Sequence, residues 1–122
     1  MGKKILVVDD ETNIVQMLEA RLKSKGFEVI SAANGEEAMS RVKKDHPDLV
    51  ILDVMMPPPN GFQVCRTLKD DSDLKKIPVI LLTAKSTESD KFWGLEAGAD
   101  AYVTKPYNAD DLLTKVRTLL EK

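Results

Sequence analysis

Leu49-Val50-Ile51-Leu52-Asp53 is four apolar residues in a row closed by an aspartate. A run this short, apolar without alternation, suits a parallel strand covered by helices on both faces. The signature recurs on both sides. Ile5-Leu6-Val7-Val8 precedes Asp9-Asp10, and Val79-Ile80-Leu81-Leu82 precedes Thr83. The spacing predicts strands over Lys4 to Val8, Leu49 to Leu52 and Val79 to Leu82. Two further β-rich runs, Phe27 to Ser31 and Ala101 to Thr104, make five, and the last leads into Lys105-Pro106.

Amphipathic stretches fill the gaps. Ile14, Leu18 and Leu22 fall at i, i+4 and i+8, one helical stripe that ends at Gly26. Asn34 with Glu37 reads as a capping box, with Ala38 and Val42 as the inner face behind it. Asn60 with Gln63 opens a third helix that carries Phe62, Cys65 and Leu68 on one face. A fourth helix is predicted from about Thr87 to Ala97, stopping at Gly98. Asn108 with Asp111 caps a fifth, faced by Leu112, Leu113, Val116, Leu119 and Leu120. The alternation is (βα)5. It predicts an α/β domain over residues 1–122, built as an open, doubly wound parallel sheet of five strands with right-handed crossovers.

Composition narrows the classes. Of 122 residues 43% are hydrophobic, enough for a core and too many for a disordered chain. Eighteen basic against 20 acidic residues give a net charge of -2, which argues against direct nucleic-acid binding through the overall field. Cys65 is the single cysteine, so an internal disulfide and a cysteine-rich metal site are excluded. No apolar run approaches the ~18 residues of a membrane span. The apolar start is too short for a signal peptide, and Leu6 stands where a myristoylation signal needs Ser or Thr. A soluble cytoplasmic domain with no membrane contact is expected.

In open parallel sheets function collects beyond the carboxyl ends of the strands, where the strand order reverses. Strand 1 delivers Asp9 and Asp10 there, strand 3 Asp53, strand 4 Thr83 and strand 5 Lys105. At ~4 Å two like charges repel by about 4 kcal/mol at an effective dielectric near 20, roughly three pKa units per pair. Three clustered carboxylates therefore need positive charge. Lys105 supplies one, and a divalent cation would supply two more. Few, hard oxygen ligands suit Mg2+ (or Mn2+), which shares its site with phosphate. The Thr83 hydroxyl and Lys105 ammonium can then hold phosphoryl oxygens, so the parts point to phosphoryl chemistry on a carboxylate.

These residues resemble the receiver domain of two-component response regulators, of the chemotaxis-receiver kind. The likeness rests on Val8-Asp9-Asp10-Glu11, Leu52-Asp53-Val54-Met55-Met56-Pro57, Leu82-Thr83-Ala84, Glu96-Ala97-Gly98-Ala99-Asp100 and Tyr102-Val103-Thr104-Lys105-Pro106, and covers essentially the whole chain. It implies a flavodoxin-like fold with strand order 2-1-3-4-5. It also implies a phosphorylatable signalling switch rather than a turnover enzyme. Asp53 is then the phosphoacceptor, taking a phosphoryl group from a phosphohistidine on a sensor histidine kinase. Asp9, Asp10, Asp53 and the Met55 backbone carbonyl are the implied metal ligands. Thr83 is the switch hydroxyl, Lys105 the lysine that pairs with the site, and Tyr102 the aromatic switch. Met55 and Lys85, each two residues beyond a site residue, shape access of hydrolytic water. The implied output face is the fourth helix, fifth strand and fifth helix, which here includes Phe92 and Trp93. A monomer is expected, with a weak dimer as the alternative, because Ala101 replaces an acidic residue common in receivers that dimerise through this face. The Lys105-Pro106 bond is expected to be cis. Pro58-Pro59 departs from the Gly-containing sequence usual after the Met-Pro, which predicts a stiffer or reshaped loop.

Other functions fit less well. A non-phosphorylated pseudo-receiver that only binds partners would usually have lost an acidic residue or the lysine. A small aspartyl phosphatase places its second Asp two residues after the first, where this chain has Glu11. A flavin carrier needs a hydroxyl-rich loop after strand 1, and Asp9-Asp10-Glu11 would repel its phosphate. His46, in Asp45-His46-Pro47-Asp48, reads as part of a helix-stop turn. Cys65 reads as inert packing and the five methionines as gap fillers. Tyr102 also fits plain core packing.

Overall fold

The computed structural model describes residues 2–83, 97–105 and 108–121. Along them run β1 (Lys4–Val8), α1 (Thr12–Ser24), β2 (Glu28–Ala32), α2 (Gly35–Asp45), β3 (Leu49–Asp53), α3 (Gly61–Asp70), β4 (Val79–Thr83), β5 (Ala101–Thr104) and a C-terminal helix (Ala109–Leu120). The strands form one parallel sheet in the order β2-β1-β3-β4-β5. The predicted fourth helix falls, apart from Ala97, on positions 84–96, outside the described residues.

Side-chain alternation along each strand sorts the core into two layers. Leu6, Val8, Val50, Leu52 and Leu81 face α2 and α3, meeting Ala38, Val42, Val64, Cys65 and Leu68. Ile5, Val7, Ile51, Ile80 and Leu82 face the opposite way, onto Leu18 and Leu22 of α1 and Leu112, Leu113 and Val116 of the C-terminal helix. Every residue of β3 and β4 is buried, which explains why those runs are apolar without alternation.

Four strand boundaries differ from the sequence reading, and hydrogen bonds give the reason. Strand β2 starts at Glu28 rather than Phe27, because the Phe27 N–H closes the end of α1 on the Leu22 carbonyl at 3.1 Å. It continues to Ala32, whose carbonyl accepts the Asp9 N–H at 3.2 Å. Strands β3 and β4 each run one residue further than their apolar runs. Asp53 pairs with Leu82 and Thr83 with Thr104, so both polar residues belong to the ladder rather than to loops.

The three predicted N-cap side chains accept helix N–H groups, with the box expected at Asn34 made from the Asn34 side. The Asn34 side chain accepts the Glu37 N–H at 2.8 Å. Asn60 and Gln63 make the full reciprocal box, at 3.0 Å and 2.7 Å. Asn108 accepts from the N–H groups of Asp110 and Asp111. His46 closes α2 in a left-handed conformation with φ of 44°, the helix-stop role expected of it.

At the rim opposite these caps, Lys69 ties α3 to the sheet. Its ammonium donates to the carbonyls of Lys75 at 3.1 Å and Ile77 at 2.8 Å, and to Asp100 Oδ2 at 2.7 Å. The same carboxylate oxygen accepts the Val79 N–H at 2.8 Å. The amino ends of β4 and β5 are thus fixed to one cation whose three protons are all used. Lys69→Met takes the donor from two backbone carbonyls and the counter-ion from Asp100, whose Oδ2 keeps the Val79 N–H. The expected loss is about 2–4 kcal/mol of unfolding free energy, read as a lower urea midpoint at unchanged slope. A loss below about 0.5 kcal/mol would show that water satisfies these groups equally well.

Candidate functional site

The strand ladder gathers the site residues at the carboxyl edge. Val8 pairs with both Ala32 and Leu52, so Asp9 leaves β1 beside the end of β3, where Asp53 stands. Thr83 ends β4 next to Asp53's partner Leu82, and its carbonyl accepts the Lys105 N–H beyond β5. Asp9, Asp53 and Thr83 are buried to 2%, 1% and 1% exposure, whereas Asp10 is exposed.

Each buried carboxylate is held at both oxygens. Asp9 Oδ1 accepts the Glu11 N–H at 2.9 Å, and Asp53 Oδ1 accepts the Met55 N–H at 3.1 Å. These local turns fix the carboxylate planes. The other oxygens face Lys105, whose Nζ stands 3.2 Å from Asp9 Oδ2 and 3.4 Å from Asp53 Oδ2. Burial works against the charge of Lys105, but the Asp53 and Asp9 carboxylates outweigh it and hold the ammonium above the ordinary lysine range. The stabilisation from a raised lysine is complete below the ordinary value and is lost only as pH rises through the raised one. The pairing therefore holds across neutral pH.

One carboxylate oxygen from each of Asp9, Asp10 and Asp53 lies within 4.8 Å of the other two. Two buried anions and one at the surface, all hard oxygen donors, form a half-open cradle. That donor set fits a small divalent cation that keeps several waters.

Tyr102 pairs with Leu81 in the parallel register, which puts it on the same sheet face as Thr83, half-buried against the α2–α3 layer. The Met55 side chain is 65% exposed. Cys65 is buried, and burial pushes its thiol up to about 11, in keeping with inert packing. Lys85, Phe92, Trp93 and the Lys105-Pro106 bond lie outside the described residues.

Two glycines that the motif reading passed over shape the site. A Cβ on Gly61 would fall 2.4 Å from the Asp53 carbonyl oxygen and 2.6 Å from the Val54 Cα. The first turn of α3 therefore presses directly on the backbone that carries Asp53. A Cβ on Gly35 would fall 2.3 Å from the Pro59 carbonyl oxygen, so α2 packs equally closely on the loop after β3. That loop contains a cis Pro58–Pro59 bond, a particular shape where the two prolines predicted an altered one. The sequence signal for Gly61 was its place just after the cap Asn60, where any small residue also satisfies the helix pattern.

A groove of about 330 Å3 opens at the opposite rim, lined by Lys3, Asp48, Lys76, Asp100 and Leu120 among others. Its acids are already engaged, Asp48 by the Lys4 N–H and Asp100 by Lys69. The cluster at the carboxyl edge is the candidate site.

Comparison with known proteins places the whole chain among relatives. The family described as "Response regulator receiver domain" matches residues 5–117. The alkaline phosphatase synthesis transcriptional regulatory protein PhoP of Bacillus subtilis is 44% identical over 122 residues, 100% of this chain and 50% of its own. The ycf27 protein of Porphyridium aerugineum, named as a probable transcriptional regulator, is 49% identical over 98% of this chain and 49% of its own. The chain thus spans about half the length of the curated relatives it matches. Among solved structures, the chemotaxis protein CheY4 of Vibrio cholerae superposes with a TM-score of 0.91 at 34% identity, over 98% of this chain and 99% of that one. The BeF3-activated DrrB receiver domain superposes at 0.89 and 38%, over the whole of both chains.

The contact at Gly61 is testable. Gly61→Ala should cost about 1–3 kcal/mol, since backbone rather than a flexible side chain must yield. It should also move the amide resonances of Asp53 and Val54 more than those of α3's far end. A fully native spectrum around residue 53 would rule the close contact out.

Proposed function

The chain belongs to the response regulator receiver domain family, and from that premise we propose that residues 1–122 form a phosphorylatable switch whose Asp53 accepts a phosphoryl group from a sensor histidine kinase. The observation that carries this reading is a carboxylate 1% exposed at a strand end, beside a lysine ammonium at 3.4 Å and within an acidic trio.

A carboxylate attacks through an oxygen lone pair, so no general base is needed to make Asp53 nucleophilic. One of its oxygens attacks phosphorus as the phosphohistidine nitrogen leaves opposite. The O–P bond forms, the P–N bond breaks, and the leaving imidazole keeps the electron pair. Charge builds on the transferred oxygens, and Lys105 stands where it can neutralise part of it. Asp9, Asp10, Asp53 and the Met55 carbonyl are proposed to hold Mg2+, or Mn2+ in its place. Bound there, the ion supplies further charge neutralisation to the phosphoryl oxygens. The protein is a phosphoacceptor that assists its own reaction, not an enzyme acting repeatedly on a separate substrate.

The signal would travel through Thr83 and Tyr102. A phosphoryl group brings nearly two negative charges. The Thr83 hydroxyl donates to it, and Tyr102 on the same face turns inward behind it. The output surface is proposed to be the stretch before Ala97 with β5 and the C-terminal helix. Control of transcription, the role named for relatives of twice this length, is the proposed output, with no direct nucleic-acid contact by these residues.

Incubation with acetyl phosphate and Mg2+ should add one phosphoryl group of about 80 Da, and Asp53→Asn should abolish the gain. Unchanged mass, or equal labelling of the variant, would refute the phosphoacceptor role.

Thr83→Ala should leave that labelling largely intact. It should remove the phosphorylation-dependent change in amide exchange across 97–105, because a hydrogen bond to a charged group is worth about 1.5–3 kcal/mol, one to two decades of a two-state equilibrium. An unaltered exchange response in Thr83→Ala would show that the coupling runs elsewhere.

A further inference from the structure

The methionines divide sharply by exposure. Met56 is 7% exposed and sits in the core, and Met39 is partly buried against the same layer. Met17, on the outer side of α1, and Met55 are 67% and 65% exposed. Of these four, only Met55 belongs to the site. It follows Asp53 by two residues, and its N–H holds Asp53 Oδ1 at 3.1 Å. With Met56 buried next to it, the backbone is anchored on the inner side while the Met55 side chain is exposed, two residues from the carboxylate its N–H holds.

We propose that Met55 is an oxidation site: a hydroperoxide converts its thioether to the sulfoxide, and the sulfoxide shortens the life of a phosphoryl group on Asp53. This rests on the phosphoacceptor reading above. In the chemical step a sulfur lone pair attacks a peroxide oxygen. The S–O bond forms, the O–O bond breaks, and with hydrogen peroxide the other oxygen leaves as water carrying both protons. Sulfur is oxidised by two electrons and the peroxide is reduced by two. Methionine sulfoxide reductases reverse the change, so the modification can be cleared.

The effect follows from hydrogen-bonding capacity. A thioether is a weak acceptor and offers little to a water approaching the acyl phosphate. A sulfoxide oxygen is a strong acceptor on the same flexible stem, able to orient that water and take part of its proton's charge. The thiol of Cys65 does not compete. Cys65 is buried, with a thiol pushed up to about 11, so its thiolate is scarce.

The test uses the intact chain and hydrogen peroxide. Peptide masses should show a gain of about 16 Da at Met17 and Met55 before Met39 and Met56. Peroxide treatment should then make loss of the phosphoryl group about 2- to 10-fold faster, the rate equivalent of one net hydrogen bond. Met17→Leu should keep this acceleration and Met55→Leu should lose it. Met55→Gln, which places an amide oxygen there, should dephosphorylate faster than Met55→Leu with no peroxide added. Sulfoxide reductase should restore the parent lifetime. Oxidation of Met56 or Met39 as readily as Met55, an unchanged lifetime after Met55 is oxidised, or acceleration that persists in Met55→Leu would each overturn the proposal. An untreated protein that takes up no phosphoryl group overturns the phosphoacceptor reading and this one with it, and that result is seen before peroxide is used.

Discussion

One ammonium between two buried carboxylates governs the arrangement of this protein's working edge. Asp9 and Asp53 are almost wholly removed from water, and a lone buried anion is strongly disfavoured. Lys105 reaches both, and backbone N–H groups take the oxygens it leaves. The cation comes from 96 residues along the chain from Asp9. It reaches its place only when β5 has joined β4, β4 has joined β3, and β3 has joined β1. Assembly of the sheet and assembly of the charge cluster are therefore one event, and neither is complete without the other.

The sheet order makes this economical. Strand β1 lies between β2 and β3, so the order in which successive strands are added reverses there while all strands stay parallel, and the connections after β1 and β3 leave to opposite faces. Asp9 and Asp53 stand on either side of that gap. The helices that follow present their first turns to the same edge, with Glu36 and Glu37 on α2 and Asp110 and Asp111 on the C-terminal helix, matching the helix dipoles. Close contact of Gly61 with the Asp53 carbonyl and of Gly35 with Pro59 then sets how near those turns approach.

Much of this was legible in the sequence, for identifiable reasons. Unalternated apolar runs mark strands buried on both faces, so β1, β3 and β4 and the polar residues ending them could be read directly. Caps are local chemistry, and Asn34, Asn60 and Asn108 all sit where their side chains predict. The boundaries of β2 were not legible, because the Phe27 N–H and the Ala32 carbonyl are claimed by partners distant from the strand's own pattern. The Lys69–Asp100 pair was equally invisible. Asp100 could be seen in a motif, but Lys69 occupies a helix position where a lysine ordinarily means only a solvated face. Gly61 reads as a tolerated small residue, and its contact with Asp53 exists only in three dimensions. Met55 and Met56 are identical neighbours in the sequence, and only packing separates the exposed side chain from the buried one.

Lys69 gives the molecule a mechanical asymmetry. It clamps α3 and the amino ends of β4 and β5 together, and the Cys65 thiol adds a 3.4 Å contact to the Ala97 carbonyl at the same end. The charge cluster lies at the other end of those strands. With respect to β4 and β5 the domain is a cantilever: one end is bolted to the helix layer, and the free end carries Thr83 and leads to Lys105. A displacement applied at the free end is not dissipated by sliding of whole strands, because their roots cannot slide. It must pass onward, beyond Thr83 and Thr104, the last residues of the two strands.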